Sequence, residues 1–166
     1  MPRLELDPVA EARRQWVEHG WVEAADGMAA VTSIMRAHQI VISRVDEVLR
    51  PLGLTFARYE LLMLLHFSSR GSLPVTKASA RLQVHSTSVT SAVDRLERDG
   101  LVRRVPNPAD GRGVLVELTE AGRALALEAT ERLNAAVFEA PPVPGDRLGA
   151  LLDVLRDLRR EAGDFD

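Results

Sequence analysis

Between Val75 and Leu118 the chain reads as a short helix, a tight turn at Gln83-Val84-His85, a second helix and a hairpin. No other feature constrains the fold as strongly, because this order is that of a helix-turn-helix followed by a wing. The second helix runs from Ser86 or Thr87 to Asp99, with Gly100 where a left-handed cap is expected. At about 100° per residue, Val89, Ala92, Val93 and Leu96 gather on one side. Thr87, Thr90, Ser91, Asp94 and Arg98 fall opposite, with Ser88 and Arg95 at the flank. One side is therefore a core face. The other carries short hydroxyl side chains at the end of the helix where free N–H groups and the positive end of the dipole lie. Such a surface can approach a major groove closely, and its hydroxyls can reach phosphate or base edges. Ser86 fits a second reading equally, as a cap of the helix start.

Leu101–Val105 and Arg112–Leu118 read as two strands, with Val114, Val116 and Leu118 on one face and Leu115 and Glu117 on the other. The turn formers Pro106 to Gly111 separate them and put Arg112 near a projecting tip. An arginine so placed suits a minor groove, where negative potential is concentrated. Asp110 can pair with Arg112 to stiffen and aim the hairpin. Arg103 and Arg104 read as phosphate contacts or solvated surface.

Charge supports the same region. The chain as a whole carries -3, yet Val75–Gly113 holds seven basic and four acidic residues, a local +3 against -6 for the rest. Several classes drop out. The 166 residues make about one domain, and the absence of cysteine excludes a disulfide framework, a thiolate nucleophile and a Cys-based zinc site. His19, His38, His66 and His85 are scattered without metal-ligand spacing, and neither a phosphate-binding glycine loop nor a nucleophile elbow is present, so an enzyme is not expected. No cofactor is called for. No apolar run approaches the roughly 18–20 residues of a membrane span, which makes a cytoplasmic protein with no membrane partner the expectation.

The flanks read as helices. One is expected over Val9–Glu23 around Trp16 and Trp21, and another over Met28–Leu49, ended by Arg50-Pro51 and Gly53. Thr55 caps Phe56–Phe67, and Ser68–Pro74 reads as a loop. Thr119 caps a long helix to about Glu139, and the prolines at 141, 142 and 144 separate it from a last helix bearing Leu148, Leu151, Leu152, Leu155 and Leu158. The expected fold is mainly α with a small β-hairpin: a winged helix-turn-helix domain plus a helical dimerisation domain. Residues 1–54 form an N-terminal extension and dimerisation helices, 55–118 the DNA-binding lobe, and 119–166 C-terminal dimerisation helices. A single subunit has little with which to cover both the leucine stripe of Ala150–Leu158 and the apolar face of Met28–Leu49. That points to association of two copies, the alternative being an intramolecular bundle.

The stretch STSVTSAVDRLERDGLVRRVPNPADGRGVLVELTEAGR resembles the MarR family of bacterial transcriptional regulators. The resemblance rests on Asp94–Arg104, on the spaced set Asp110, Arg112, Leu118, Thr119 and Gly122, and on the helix order from about Met28 to Leu158. Gly111 departs from it where a second basic residue is often found, and Gln83 where a glycine is frequent. The resemblance implies a homodimer that sets two recognition helices on successive major grooves of a pseudo-palindromic operator, about 34–36 Å apart. It implies a regulator, a repressor in the usual case, contacting double-stranded DNA through Ser86, Thr87, Ser88, Thr90, Ser91, Arg95, Arg98, Arg104 and Arg112, with Asp110 positioning the wing. It also implies a small-molecule effector, for which Trp21, His38, Arg58 and His66 are the candidates. Three of them have a plainer role: His38 as a buried histidine, His66 as a cation at a helix end, and Trp21, with Trp16, as a packing anchor. In a urate-responsive branch of the family the acidic and arginine pocket positions fall on Glu60 and Ala92, and Ala92 cannot serve as the arginine. The alternative function is a dimeric winged-helix module for ligand sensing or protein interaction without DNA binding.

Overall fold

The computed structural model describes residues 5–83, 86–108 and 113–166, with Ser86 described by its backbone alone. The chain forms two compact units, Met1–Arg44 and Val45–Asp166.

In the first unit, α1 (Pro8–Glu18) starts at Asp7, whose carboxylate accepts the Val9 N–H at 2.9 Å, with Pro8 in the first turn. Arg14 lies one turn from both Glu11 and Glu18 and binds each. Hydrogen bonding from Arg14, and then from Gln15, lowers the Glu11 pKa to about 2. The expected helix through Glu23 stops early. Gly20 takes a left-handed turn at φ +84°, and α2 (Val22–Leu49) begins there rather than at Met28. Gly27 lies inside α2 and does not end it. Trp16 and Trp21 meet edge to face at 5.2 Å across this corner, and Arg13 Nε pairs with Asp26 at 2.6 Å. Ala25 is buried, whereas Val31, Ile34, Met35, Ile40 and Val41 are exposed.

The second unit begins with the last turn of α2, whose Val45 and Leu49 are core residues. A 3-10 turn at Arg50–Leu52 ends at Gly53 with φ +70°. Next comes α3 (Phe56–Phe67), capped by Thr55 as its sequence predicts. Then follow β1 (Ser72–Pro74), α4 (Val75–Leu82), α5 (Ser86–Arg98), β2 (Val102–Pro106) and β3 (Val114–Leu118). Last are α6 (Glu120–Leu133), which passes into a π-helical segment at Asn134–Phe138, and α7 (Gly145–Glu161). The core joins Leu61, Leu62 and Leu65 of α3 to Val89, Val93 and Leu96 of α5, Val116 of β3, and Ala126, Ala129 and Leu133 of α6.

The sheet has three antiparallel strands in the order β1-β3-β2. In register, Arg104 lies opposite Val116 and Leu73 opposite Val116 from the other side. The segment Ser68–Pro74, expected to be loop throughout, thus contains an edge strand. Pro74 is tolerated there because an edge position does not require its missing N–H.

Thr119 fastens α6 to the α5–β2 turn. Its Oγ1 accepts the Gly122 N–H at 3.0 Å and lies 2.9 and 3.0 Å from the Gly100 and Leu101 carbonyls, while its N–H donates to Leu101 O at 3.2 Å. No residue of α7 is buried, and Leu151, Leu152, Val154, Leu155 and Leu158 are exposed. Among the described residues no helix is long and apolar enough to cross a membrane.

Candidate nucleic-acid interface

The turn between α4 and α5 opens at Gln83, which adopts φ +53°, ψ 36° and caps α4 in the left-handed region usually held by glycine. Its side-chain amide donates to the Asp164 carbonyl. Val84 and His85 lie outside the described residues.

Helix α5 then divides as its sequence predicts. Val89, Val93 and Leu96 point into the core at 2% exposure or less. Thr87, Ser88, Thr90, Ser91, Asp94, Arg95 and Arg98 are exposed. Each flank of that exposed face has a neighbour. On one, Arg104 of β2 donates its N–H to Glu97 at 2.9 Å, and its guanidinium pairs with Glu97 and with Asp94 Oδ1 at 2.5 Å. The hairpin is thereby held at a set angle to α5. On the other flank, Ser88, Ser91, Ala92, Arg95 and Arg98 face Thr55, Ala57 and Arg58 across an open groove of about 390 Å³.

The basic residues differ in their surroundings. Arg103 pairs with Glu117 across the strands, with Nε at 3.0 Å. Arg95 pairs with Asp99 at 3.2 Å, and Arg98 Nε donates to the Asp94 carbonyl at 3.3 Å. Asp110 and Arg112 lie outside the described residues, as does the side chain of Ser86.

The effector candidates do not form one cluster within either unit. In the first, Trp21 is exposed and stacks on His19 at 6.0 Å, with an interplanar angle of 27°. His38, expected to be buried, is exposed, because the apolar stripe of α2 around it is itself uncovered in the single chain. In the second, Arg58 and His66 occupy the first and last turns of α3, about 12 Å apart along the axis. His66 Nδ1 accepts from Arg123 at 2.8 Å. Among the described residues no group of His, Cys, Asp and Glu could hold a metal.

Beside α3 a small cavity of about 50 Å³ is bordered by Ala57, Glu60, Leu61, Leu82, Ser88, Val89 and Ala92. Partial desolvation of the Glu60 carboxyl among these groups raises its pKa. The folded chain therefore binds the Glu60 proton more tightly than the unfolded chain. Glu60 weighs against folding above its folded pKa; the deficit fades as pH falls from there towards the ordinary carboxylate value and is gone below it. Glu60→Gln is expected to raise the melting temperature at pH 7. The gain should be within the ~0.5 kcal/mol usual for a surface change, and should vanish near pH 4. Melting curves at the two pH values check this, and a lower melting temperature at pH 7 contradicts it.

Comparison with known proteins places this arrangement. A MarR family model matches residues 52–113. The crystal structure of Sco5413, a MarR family transcriptional regulator from Streptomyces coelicolor, is 50% identical with a TM-score of 0.76. The match covers 85% of this chain and 98% of that one. The chain belongs to the MarR family. A mutant MarR from Escherichia coli, solved in complex with operator DNA, has a TM-score of 0.72 at 26% identity, covering 81% of this chain and 96% of that one. Among curated MarR-family relatives, the multiple antibiotic resistance protein MarR of E. coli K12 is 39% identical over 82 residues, 48% of this chain and 54% of its own length. The chain thus spans about half the length of the curated relatives it matches first.

Proposed function

We propose that this MarR-family chain is a sequence-specific, double-stranded-DNA-binding transcriptional regulator. It acts in the cytoplasm as a homodimer, represses from a pseudo-palindromic operator, and is released by a small-molecule effector. The observation that carries the reading is the exposed hydroxyl-rich face of α5, seated on buried Val89, Val93 and Leu96 and bordered on both flanks by basic side chains. Ser86, Thr87, Ser88, Thr90 and Ser91 meet base edges and phosphates, and Arg95 and Arg98 supply charge. Arg112 reaches the minor groove, aimed by Asp110. Arg104 acts on the DNA chiefly through the hairpin angle that Asp94 and Glu97 set. Residues 55–118 are the lobe that touches DNA, and 1–54 and 119–166 carry the dimer contacts. The exposed apolar side chains of α2 and α7 are what a second copy would cover.

The test is fluorescence anisotropy at about 150 mM salt, with a duplex from the chain's own promoter region holding an inverted repeat of about 16–20 base pairs. Submicromolar binding is expected. Arg112→Ala and Ser91→Ala should each weaken it by roughly tenfold, the scale of a single interaction in the groove. Unchanged affinity in both variants defeats the reading. The net charge of -3 favours one rival, a dimeric module that senses a ligand or protein without touching DNA, and absence of any salt-dependent DNA affinity would select it.

A further inference from the structure

We infer that Arg58, on α3 rather than on the helix-turn-helix or the wing, holds the sugar–phosphate strand bordering α5 on the flank away from the hairpin. The inference rests on the DNA-binding reading above and extends the interface to a third element.

An α-helix with its side chains is about 10–12 Å across, and the major groove is about 12 Å wide, so an inserted α5 fills the groove. Whatever flanks α5 then meets the backbone walls. One flank is taken by β2 through Arg104. On the other, Ser88, Ser91, Ala92, Arg95 and Arg98 recur at i, i+3, i+4, i+7 and i+10, a single stripe facing the first turn of α3. The groove between them runs about 15 Å along α5, an extended track suited to a polyanionic strand. Three guanidinium groups line it. Among the described residues only Asp99 forms an ion pair with any of them, at Arg95. Arg58 Nε donates to Thr55 Oγ1 at 3.2 Å, and Thr55 Oγ1 also takes the Arg58 N–H at 3.4 Å. This anchors the base of the guanidinium at the helix start and leaves Nη1 and Nη2 without a protein acceptor among the described residues. Those two donors belong to a half-buried arginine that lines a cationic groove, and they match the forked recognition of a phosphate.

The experiment measures binding of the full chain to a fluorescein-labelled random-sequence duplex of about 24 base pairs and to the promoter duplex, across roughly 50–300 mM salt. Each phosphate that the protein ceases to neutralise lowers the slope of log affinity against log salt by about 0.9, so Arg58→Gln in a dimer should lower it by about 1.8. Affinity for both duplexes should fall by the same factor, roughly five- to thirtyfold at 150 mM salt, whereas Arg58→Lys keeps the wild-type slope. Melting curves confirm that the variants are folded, and Arg58→Gln retains a side-chain amide that can still bond Thr55. A wild-type slope in Arg58→Gln overturns the assignment, as does a loss confined to the promoter duplex. Wild-type protein with no salt-dependent affinity for either duplex overturns both this assignment and the reading beneath it.

Discussion

Gly122→Ala is expected to lower the melting temperature by about 6–12 °C, the scale of a ~3 kcal/mol loss in a chain of this length. A methyl at this position would lie 2.0 Å from the Leu101 carbonyl oxygen, 2.9 Å from its carbon and 2.9 Å from Leu118 Cδ1. Neither partner can yield easily. The Leu101 carbonyl already accepts the Thr119 N–H and lies within bonding distance of its hydroxyl, and Leu118 is in the core. Relief requires α6 to pull away from the α5–β2 turn, breaking bonds worth about 1 kcal/mol each on top of an overpacking cost of about 1–3 kcal/mol. The better helix propensity of alanine returns only about 1 kcal/mol. Gly27→Ala is the control: Gly27 sits inside α2 with nothing within 4 Å of the added carbon, so it should melt at or slightly above the wild-type temperature. If Gly122→Ala melted as high as Gly27→Ala, the close approach of α6 to Leu101 would be refuted.

Leu96→Ala should cost about 2–5 kcal/mol, because a fully buried leucine leaves a cavity that a core of this density closes only in part. Leu96 seats α5 against α3 and the sheet, so removal of its side chain loosens the platform that presents Thr87, Thr90 and Ser91. Ser91→Ala, on the opposite face of the same helix, should leave stability within about 0.5 kcal/mol and change DNA affinity instead. Urea denaturation with an unchanged m-value, read beside anisotropy, separates the two effects. A Leu96→Ala cost below about 1 kcal/mol would mean that α5 is not anchored through its apolar face.

The parts of this fold that are legible in the sequence are those with local causes. Thr55 before Phe56–Phe67, Thr119 before α6 and Gly100 at φ +73° after α5 each satisfy or release backbone groups within a few residues. The two faces of α5 follow from helical periodicity alone. The sequence misleads where the cause is distant or where two local signals compete. Strand β1 is three residues ending in proline, too short to alternate, and exists only because β3 offers it a pairing edge. Gly20 and Gly27 are equally able to end a helix by residue type, and the left-handed turn falls at Gly20, where the two tryptophans meet. The pattern of α2 places His38 inside, but that pattern marks an apolar stripe without saying what covers it.

The same division holds for the candidate interface. Which side chains α5 offers to the outside is written in the order of residues 86–98, since a 3.6-residue repeat turns order directly into faces. Arg104 locked between Asp94 and Glu97, and Arg58 set across a groove from Arg95 and Arg98, cannot be inferred that way. Those neighbours are 7–40 residues apart in the chain, and only the packing of α3 and β2 around one buried core brings their charges together.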